Sequence, residues 1–153
     1  MILYLDASAL VKRYVSEPGS AEVNDAIAQA QIAGTALISR AEVSAALAKT
    51  VRTGILAEKS ALAGMQIFKT EWPALMRIQI TEMVVAQADR LAWAHSLRGY
   101  DTIHLAAAIV WQEALTAPVT MATFDRQLWI ASQNEGLSMF PDDITAFLNS
   151  TLP

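Results

Sequence analysis

Four acidic residues in this chain are spaced as a metal-dependent hydrolase would need them. Asp6 directly follows the short apolar run Ile2–Leu5, Glu42 lies just after a second such run, Asp125 follows a third at Val119–Thr123, and Asp101 opens an apolar helical stretch after Arg98-Gly99-Tyr100. Two carboxylates about 4 Å apart repel by roughly 4 kcal/mol at an effective dielectric near 20, so gathering four requires a compensating charge. A divalent cation supplies it, and an all-oxygen site suits Mg²⁺ or Mn²⁺, which keep several waters and bind substrate phosphate. The chemistry this implies is metal-assisted phosphoryl hydrolysis.

Composition removes most other chemistries. With 153 residues, 54% of them apolar, and no cysteine, the chain is expected to fold as one domain over residues 1–153, without disulfides, zinc knuckles, iron–sulfur clusters or a thiol nucleophile. Its two histidines, His95 and His104, lack a third imidazole for a catalytic zinc site. Eleven Lys plus Arg against fifteen Asp plus Glu leave a formal charge of −4, so nonspecific attraction does not drive nucleic-acid binding. Asp6 interrupts the first apolar run too early for a signal peptide, and no stretch reaches the ~20 apolar residues of a membrane span, so a cytoplasmic location with no membrane association is expected.

The elements that must position the acids alternate between short apolar runs and helical patterns. Strands are expected at Ile2–Leu5, Thr35–Ile38, Leu75–Ile80 and Val119–Thr123, with a further one at Leu137–Phe140. Between them, helices are read from Ala7 to about Val15, Ala21–Ala33 stopping at Gly34, Ser39 to about Thr53, and Leu56–Glu71 ended by Pro73. A helix capped by Thr81 runs through Ser96, another from Asp101 through Leu115, a third from Asp125 to near Gly136, and a terminal one is headed by Pro141. The pattern predicts an α/β domain in three layers, helices covering both faces of a mostly parallel central sheet. Ligands in such sheets gather beyond the carboxyl ends of the strands, where these acids fall. The competing reading of each acid alone is a cap: Ser39-Arg40-Ala41-Glu42 has the form of a capping box, and Asp101 and Asp125 that of helix N-caps.

Around the acids the sequence resembles a known family. Tyr4-Leu5-Asp6-Ala7-Ser8-Ala9-Leu10-Val11-Lys12-Arg13-Tyr14, followed by Glu17-Pro18-Gly19-Ser20, looks like the opening of a PIN domain. Arg98-Gly99-Tyr100-Asp101-Thr102-Ile103-His104-Leu105-Ala106-Ala107-Ala108 resembles its third-acid helix, Thr123-Phe124-Asp125-Arg126-Gln127-Leu128 its Thr-x-Asp segment, and Ser39-Arg40-Ala41-Glu42-Val43 its second-acid helix. The resemblance spans the chain and is to the VapC-type toxins of toxin-antitoxin pairs. It implies a PIN-like fold and an endoribonuclease whose Asp6, Glu42, Asp101 and Asp125 form a catalytic pocket holding Mg²⁺ or Mn²⁺. It also implies a VapB-like antitoxin partner whose C-terminal segment covers the pocket.

Other residues follow from their places. The hydroxyls of Ser8 and Thr123, each two positions from an acid, are placed to orient a carboxylate or a metal-bound water. Lys12, Arg13, Arg40, Arg98 and Arg126, five of the eleven basic residues, lie near the acids in sequence and are candidate contacts to RNA phosphates. His104 shares a helical face with Asp101 but is assigned a packing or surface role. Trp72, Trp93, Trp111 and Trp129 read as core or interface, and Tyr100 as the aromatic to test for base contact. A mean hydropathy of +0.31 in so small a domain predicts a homodimer. A haloacid-dehalogenase phosphatase would need an acid where Ser8 stands, and a response-regulator receiver would need a lysine that Val119–Thr123 lacks. The remaining rival is a PIN-fold module that binds RNA or protein without cutting.

Overall fold

The computed structural model describes residues 1–148. Five strands, β1 (Ile2–Leu5), β2 (Ile32–Ala36), β3 (Met76–Ile78), β4 (Val119–Ala122) and β5 (Ser138–Phe140), make one parallel sheet in the order β3-β2-β1-β4-β5. Parallel neighbours cannot be joined by tight hairpins, so helices fill the connections. α1 (Ala7–Leu10) and α2 (Ser20–Gln29) precede β2, α3 (Ser39–Arg52) and α4 (Glu58–Glu71) precede β3, and α5 (Glu82–His95) and α6 (Gly99–Leu115) precede β4. α7 (Arg126–Asn134) links β4 to β5, and α8 (Thr145–Leu148) follows. The sheet is wholly parallel, with helices on both faces, as the alternation of apolar runs and helical patterns requires.

The two-residue period of β1 divides the core. Leu3 and Leu5 point to one face and pack with Val23, Val43, Leu47 and Phe68 from α2, α3 and α4. Tyr4 points to the other face, among Leu91, Leu105, Trp111 and Leu128 from α5, α6 and α7. All three β1 side chains are fully buried. Each such burial stabilises the fold by about 1.5–3 kcal/mol, which anchors β1 in the core on both faces. No helix among the described residues is long and apolar enough to cross a membrane.

Several boundaries differ from the sequence reading, each for a local reason. The second helix stops at Gln29, because Gly34 is not its stop but a buried residue of β2. A Cβ on Gly34 would stand 2.7 Å from the Trp111 ring, so the glycine is there to let α6 lie against the sheet. The first helix tightens to 3₁₀ geometry over Val11–Arg13, and β3 is shorter than expected. The Ser39 capping box does not form: Ile38 holds the N-cap position, and the Ser39 hydroxyl pairs with Thr35 Oγ1 at 2.6 Å. Asp101 is not an N-cap either, since α6 starts at Gly99 with Arg98 in the capping position. Pro141 does not head the last helix, which begins at Thr145 beside the Asp143 carboxylate, 2.8 Å from the Thr145 N–H. The end of that helix as expected, residues 149–153, lies outside the described residues.

Candidate active site

Strand order turns at β1: the chain passes from β1 to β2 and β3 on one side, then crosses to β4 and β5 on the other. The gap between the connections leaving β1 and β4 is the crevice where such sheets bind ligands. Leu5 of β1 is in register with Ala122 of β4, and the Asp6 N–H continues the ladder to the Ala122 carbonyl at 3.1 Å. Asp6 and Thr123 therefore emerge side by side.

Asp6 is 3% exposed and fully engaged. Its Oδ1 caps α1 by accepting the Ala9 N–H at 2.8 Å, and the Ser8 hydroxyl lies 2.8 and 2.9 Å from its two oxygens. Thr123 Oγ1 donates to Oδ2 at 2.6 Å. Burial raises the Asp6 pKa, while the nearby His104 and the hydrogen bonds from Thr123, Ala9 and Ser8 pull it back. The same hydroxyls join the two strand ends, because Ser8 Oγ accepts the Phe124 N–H at 2.9 Å and Thr123 Oγ1 accepts the Asp125 N–H at 3.1 Å. Both hydroxyls thus contact the Asp6 carboxylate.

Asp125 serves two purposes at once. Oδ1 caps α7 by accepting the Leu128 N–H at 2.9 Å, and Oδ2 accepts from Arg98 Nη2 at 3.2 Å. Arg98 Nε reaches Asp101 Oδ2 at 3.0 Å, so one guanidinium draws together the acids of α6 and the β4 connection. Glu42, in the first turn of α3, accepts from His104 Nε2 at 2.7 Å. A cleft of about 710 Å³ opens against Glu42, Arg98, Tyr100 and Asp101, with Val85, Ala88 and Ala92 of α5 on its far wall.

Among the described residues no three acidic or imidazole side chains are gathered closely enough to hold one ion together. The acids are linked instead through intervening groups: Asp6 to Asp125 by Thr123, Asp125 to Asp101 by Arg98, and Glu42 to the core by His104. The donor set nevertheless fits a hard cation. It is entirely oxygen, and the Arg98 guanidinium between Asp101 and Asp125 is a stand-in positive charge at that place.

The basic residues separate into two groups. Lys12 is held by Glu17 at 3.0 Å and by the Pro18 carbonyl at 2.8 Å, with its ammonium 4.4 Å from the Phe124 ring centre. Arg13 grips Glu71 at 2.7 and 3.2 Å and Asn24 at 2.9 Å. Arg40 and Arg126 are exposed, with no ion pair among the described residues. Tyr100 is 69% exposed beside Asp101. Trp72 and Trp111 are core, whereas Trp93 stands 87% exposed on α5.

Two participants were not read from the sequence as site residues. His104 is buried on α6 yet touches Glu42, and Tyr4, wholly buried in β1, meets the other side of its ring at 2.9 Å. Burial pushes the Tyr4 phenol well above its ordinary pKa, reinforced by the charges of Asp6 and Glu42. The signal available was the one-turn spacing of Asp101 and His104, but that spacing gives no hint of a partner on α3.

Comparison with known proteins agrees with this architecture. Residues 3–129 match the PIN domain family. A Mycobacterium tuberculosis protein, Ribonuclease VapC45, is 32% identical over 141 residues, which cover 92% of this chain and 95% of the relative. Two solved structures share the fold. PAE2754 from Pyrobaculum aerophilum superposes with a TM-score of 0.63 at 19% identity, covering 91% of this chain and 83% of that one. A toxin-antitoxin complex from Klebsiella pneumoniae gives 0.60 at 16% identity, covering 82% and 87%.

Proposed function

The chain belongs to the PIN domain family, and from that premise we propose that it is an Mg²⁺- or Mn²⁺-dependent endoribonuclease, the toxin of a VapBC-type toxin-antitoxin pair. The observation that carries this reading is the locked carboxylate of Asp6 at the β1–β4 crevice, with Asp125 joined to it through Thr123. Asp6, Glu42, Asp101 and Asp125 are the residues that would hold the cation. When bound, it would lower the pKa of a water and neutralise charge on a scissile phosphate.

The chain's own residues do the positioning. Ser8 and Thr123 fix both oxygens of Asp6, and the α7 cap fixes Asp125. Arg98, 74% exposed at its side chain, has the freedom to leave the acids for an RNA phosphate once another cation neutralises them. Arg126, next to Asp125, is a further exposed cation for a phosphate, Arg40 lines a separate hollow with Trp72, Leu75 and Met76, and Tyr100 offers an aromatic face to an unstacked base. The relative's name, Ribonuclease VapC45, and the toxin-antitoxin complex among the similar folds support a VapB-like antitoxin partner for this chain as well. A homodimer is part of the proposal, supported by Met83 and Trp93, which project from α5 with 65% and 87% exposure.

The test is cleavage of total cellular RNA by the purified protein in Mg²⁺, Mn²⁺ or EDTA, beside Asp6→Asn, with product ends mapped. Cuts that need metal, leave 5′-phosphate and 3′-hydroxyl ends and vanish in the variant support the reading. Equal cleavage by both proteins, or none by the folded wild type in any metal, overturns it.

A further inference from the structure

The four acids are not equally restrained. Asp6 accepts from two hydroxyls and a backbone N–H, Asp125 from the α7 N-terminus and Arg98, and Asp101 from Arg98. Glu42 has the longest side chain of the four, and the capping box that would have folded it back onto α3 is not formed. Its one side-chain hydrogen bond among the described residues comes from His104 Nε2, at 2.7 Å. Fixing a glutamate side chain costs rotamer freedom, so an unheld Glu42 would spread over several positions at the mouth of the cleft.

His104 is itself held from behind. It is 2% exposed, its ring meets Tyr4 edge-on with centroids 6.0 Å apart, and Tyr4 Oη lies 2.9 Å from Nδ1. A carboxylate only accepts, so the hydrogen between His104 and Glu42 can be placed. Nε2 donates to Glu42 whichever charge the ring carries, and Tyr4 and Nδ1 share the hydrogen bond behind it. Burying a hydroxyl and an imidazole in an otherwise apolar cluster is costly unless each is paired, and here they pair with each other and with one pocket acid.

We propose that Tyr4 and His104 form a relay from the central strand to the pocket, with His104 the positioning residue that holds the Glu42 carboxylate for its cation. The inference rests on the nuclease reading above. One turn of α6 then sets two acids: Asp101 directly, and Glu42 of the facing helix through His104. Neither relay residue touches substrate; both act through Glu42. Partners of this kind behind metal-ligating side chains typically contribute 10–100-fold to metal affinity or activity.

The experiment compares wild type with His104→Leu, His104→Gln and Tyr4→Phe in two assays, Mn²⁺ uptake followed by the electron-spin resonance of free Mn²⁺, and steady-state RNA cleavage. A glutamine amide can replace the Nε2–H donor to Glu42, whereas leucine cannot. The expected result is an Mn²⁺ affinity weakened by about 10–100-fold in His104→Leu, with kcat reduced and KM for RNA unchanged. His104→Gln should recover most of the loss, and Tyr4→Phe should fall between. If His104→Leu does not fold, the glutamine and phenylalanine variants carry the comparison. Variants that match a wild type able to bind Mn²⁺ and cut RNA overturn the relay alone, as does a glutamine variant no better than a folded leucine one. A folded wild type that neither takes up Mn²⁺ nor cuts RNA overturns the nuclease reading and the relay's role with it.

Discussion

Thr123 Oγ1 donates to Asp6 Oδ2 at 2.6 Å, joining the ends of two adjacent parallel strands across 117 residues of sequence. The bond runs to a buried carboxylate, and the same hydroxyl accepts the Asp125 N–H, so one side chain aligns two acids. Thr123→Val keeps the shape and removes both bonds. It is expected to cost about 1.5–3 kcal/mol of stability, the range for hydrogen bonds to charged groups, and to slow RNA cleavage by about 10–100-fold. Thr123→Ser should restore both. Thermal unfolding and cleavage rates read the two effects separately.

Asp6→Asn is expected to abolish cleavage and yet stabilise the metal-free protein at neutral pH. Burial raises the pKa of Asp6 in the folded state, so folding favours its protonated form. Its contribution is therefore fully present below the unfolded value of about 3.9 and is lost as pH rises through the higher folded value. Above that value the ionised group opposes folding, and the asparagine does not. Denaturant melts without metal should show the variant more stable at pH 7, the gap closing toward acid. Added Mg²⁺ should stabilise the wild type only.

Arg98 competes with any cation for Asp101 and Asp125. Its side chain is mostly exposed, so the two ion pairs add little to stability, and Arg98→Gln should melt close to wild type. The effects expected in function have opposite signs. Half-saturation by Mn²⁺ should move to lower concentration, because the stand-in charge is gone, while KM for RNA should rise through loss of a phosphate contact.

The sequence makes the order of elements, the parallel sheet and the placing of Asp6 and Asp125 legible, because short apolar runs alternating with helical patterns read as buried parallel strands, with these acids in the connections that follow. It misleads at Gly34 and Ser39, where local rules gave a helix stop and a capping box. In the structure tertiary contacts decide: Trp111 needs the space over Gly34, and Thr35 takes the Ser39 hydroxyl. His104 and Tyr4, 100 residues apart, were not legible as a pair, since nothing in local spacing tells which buried polar groups will meet. The pairing of the basic residues was not legible: nearness in sequence to an acid does not tell whether a cation has been claimed by Glu71 or Glu17.

Gly34→Ala gives the packing argument a direct test. The added methyl carbon would sit 2.7 Å from one Trp111 ring carbon, 3.0 Å from the next and 3.1 Å from the Met76 carbonyl. Overpacking of this kind costs about 1–3 kcal/mol, with a fall in melting temperature and no change in the acids themselves. Trp111→Phe, destabilising alone, should recover part of the loss when combined with Gly34→Ala, and a double-mutant cycle measures that coupling.

Arg13 and Glu71 separate a structural cation from a substrate-binding one. Two nitrogens of Arg13 meet the two oxygens of Glu71, and the Tyr14 hydroxyl donates to Oε2 at 3.0 Å. Arg13 holds the Glu71 pKa below the ordinary carboxylate value, aided by Tyr14 and opposed by partial burial. A lowered folded value contributes stability above the unfolded pKa of about 4.3, and that contribution is lost as pH falls through the folded value. Both side chains are about a third exposed, so solvent screening limits the effect to about 1 kcal/mol. Glu71→Gln should therefore be slightly less stable at pH 7 and equal to wild type in strong acid. With its guanidinium committed to α4 and α2, Arg13→Ala should lose similar stability but bind RNA with unchanged KM and salt dependence. Arg126→Ala, whose side chain carries no such tie among the described residues, should raise KM and lower the slope of log affinity against log salt by about 1. Equal salt slopes for the two variants would return Arg13 to the RNA-binding rim.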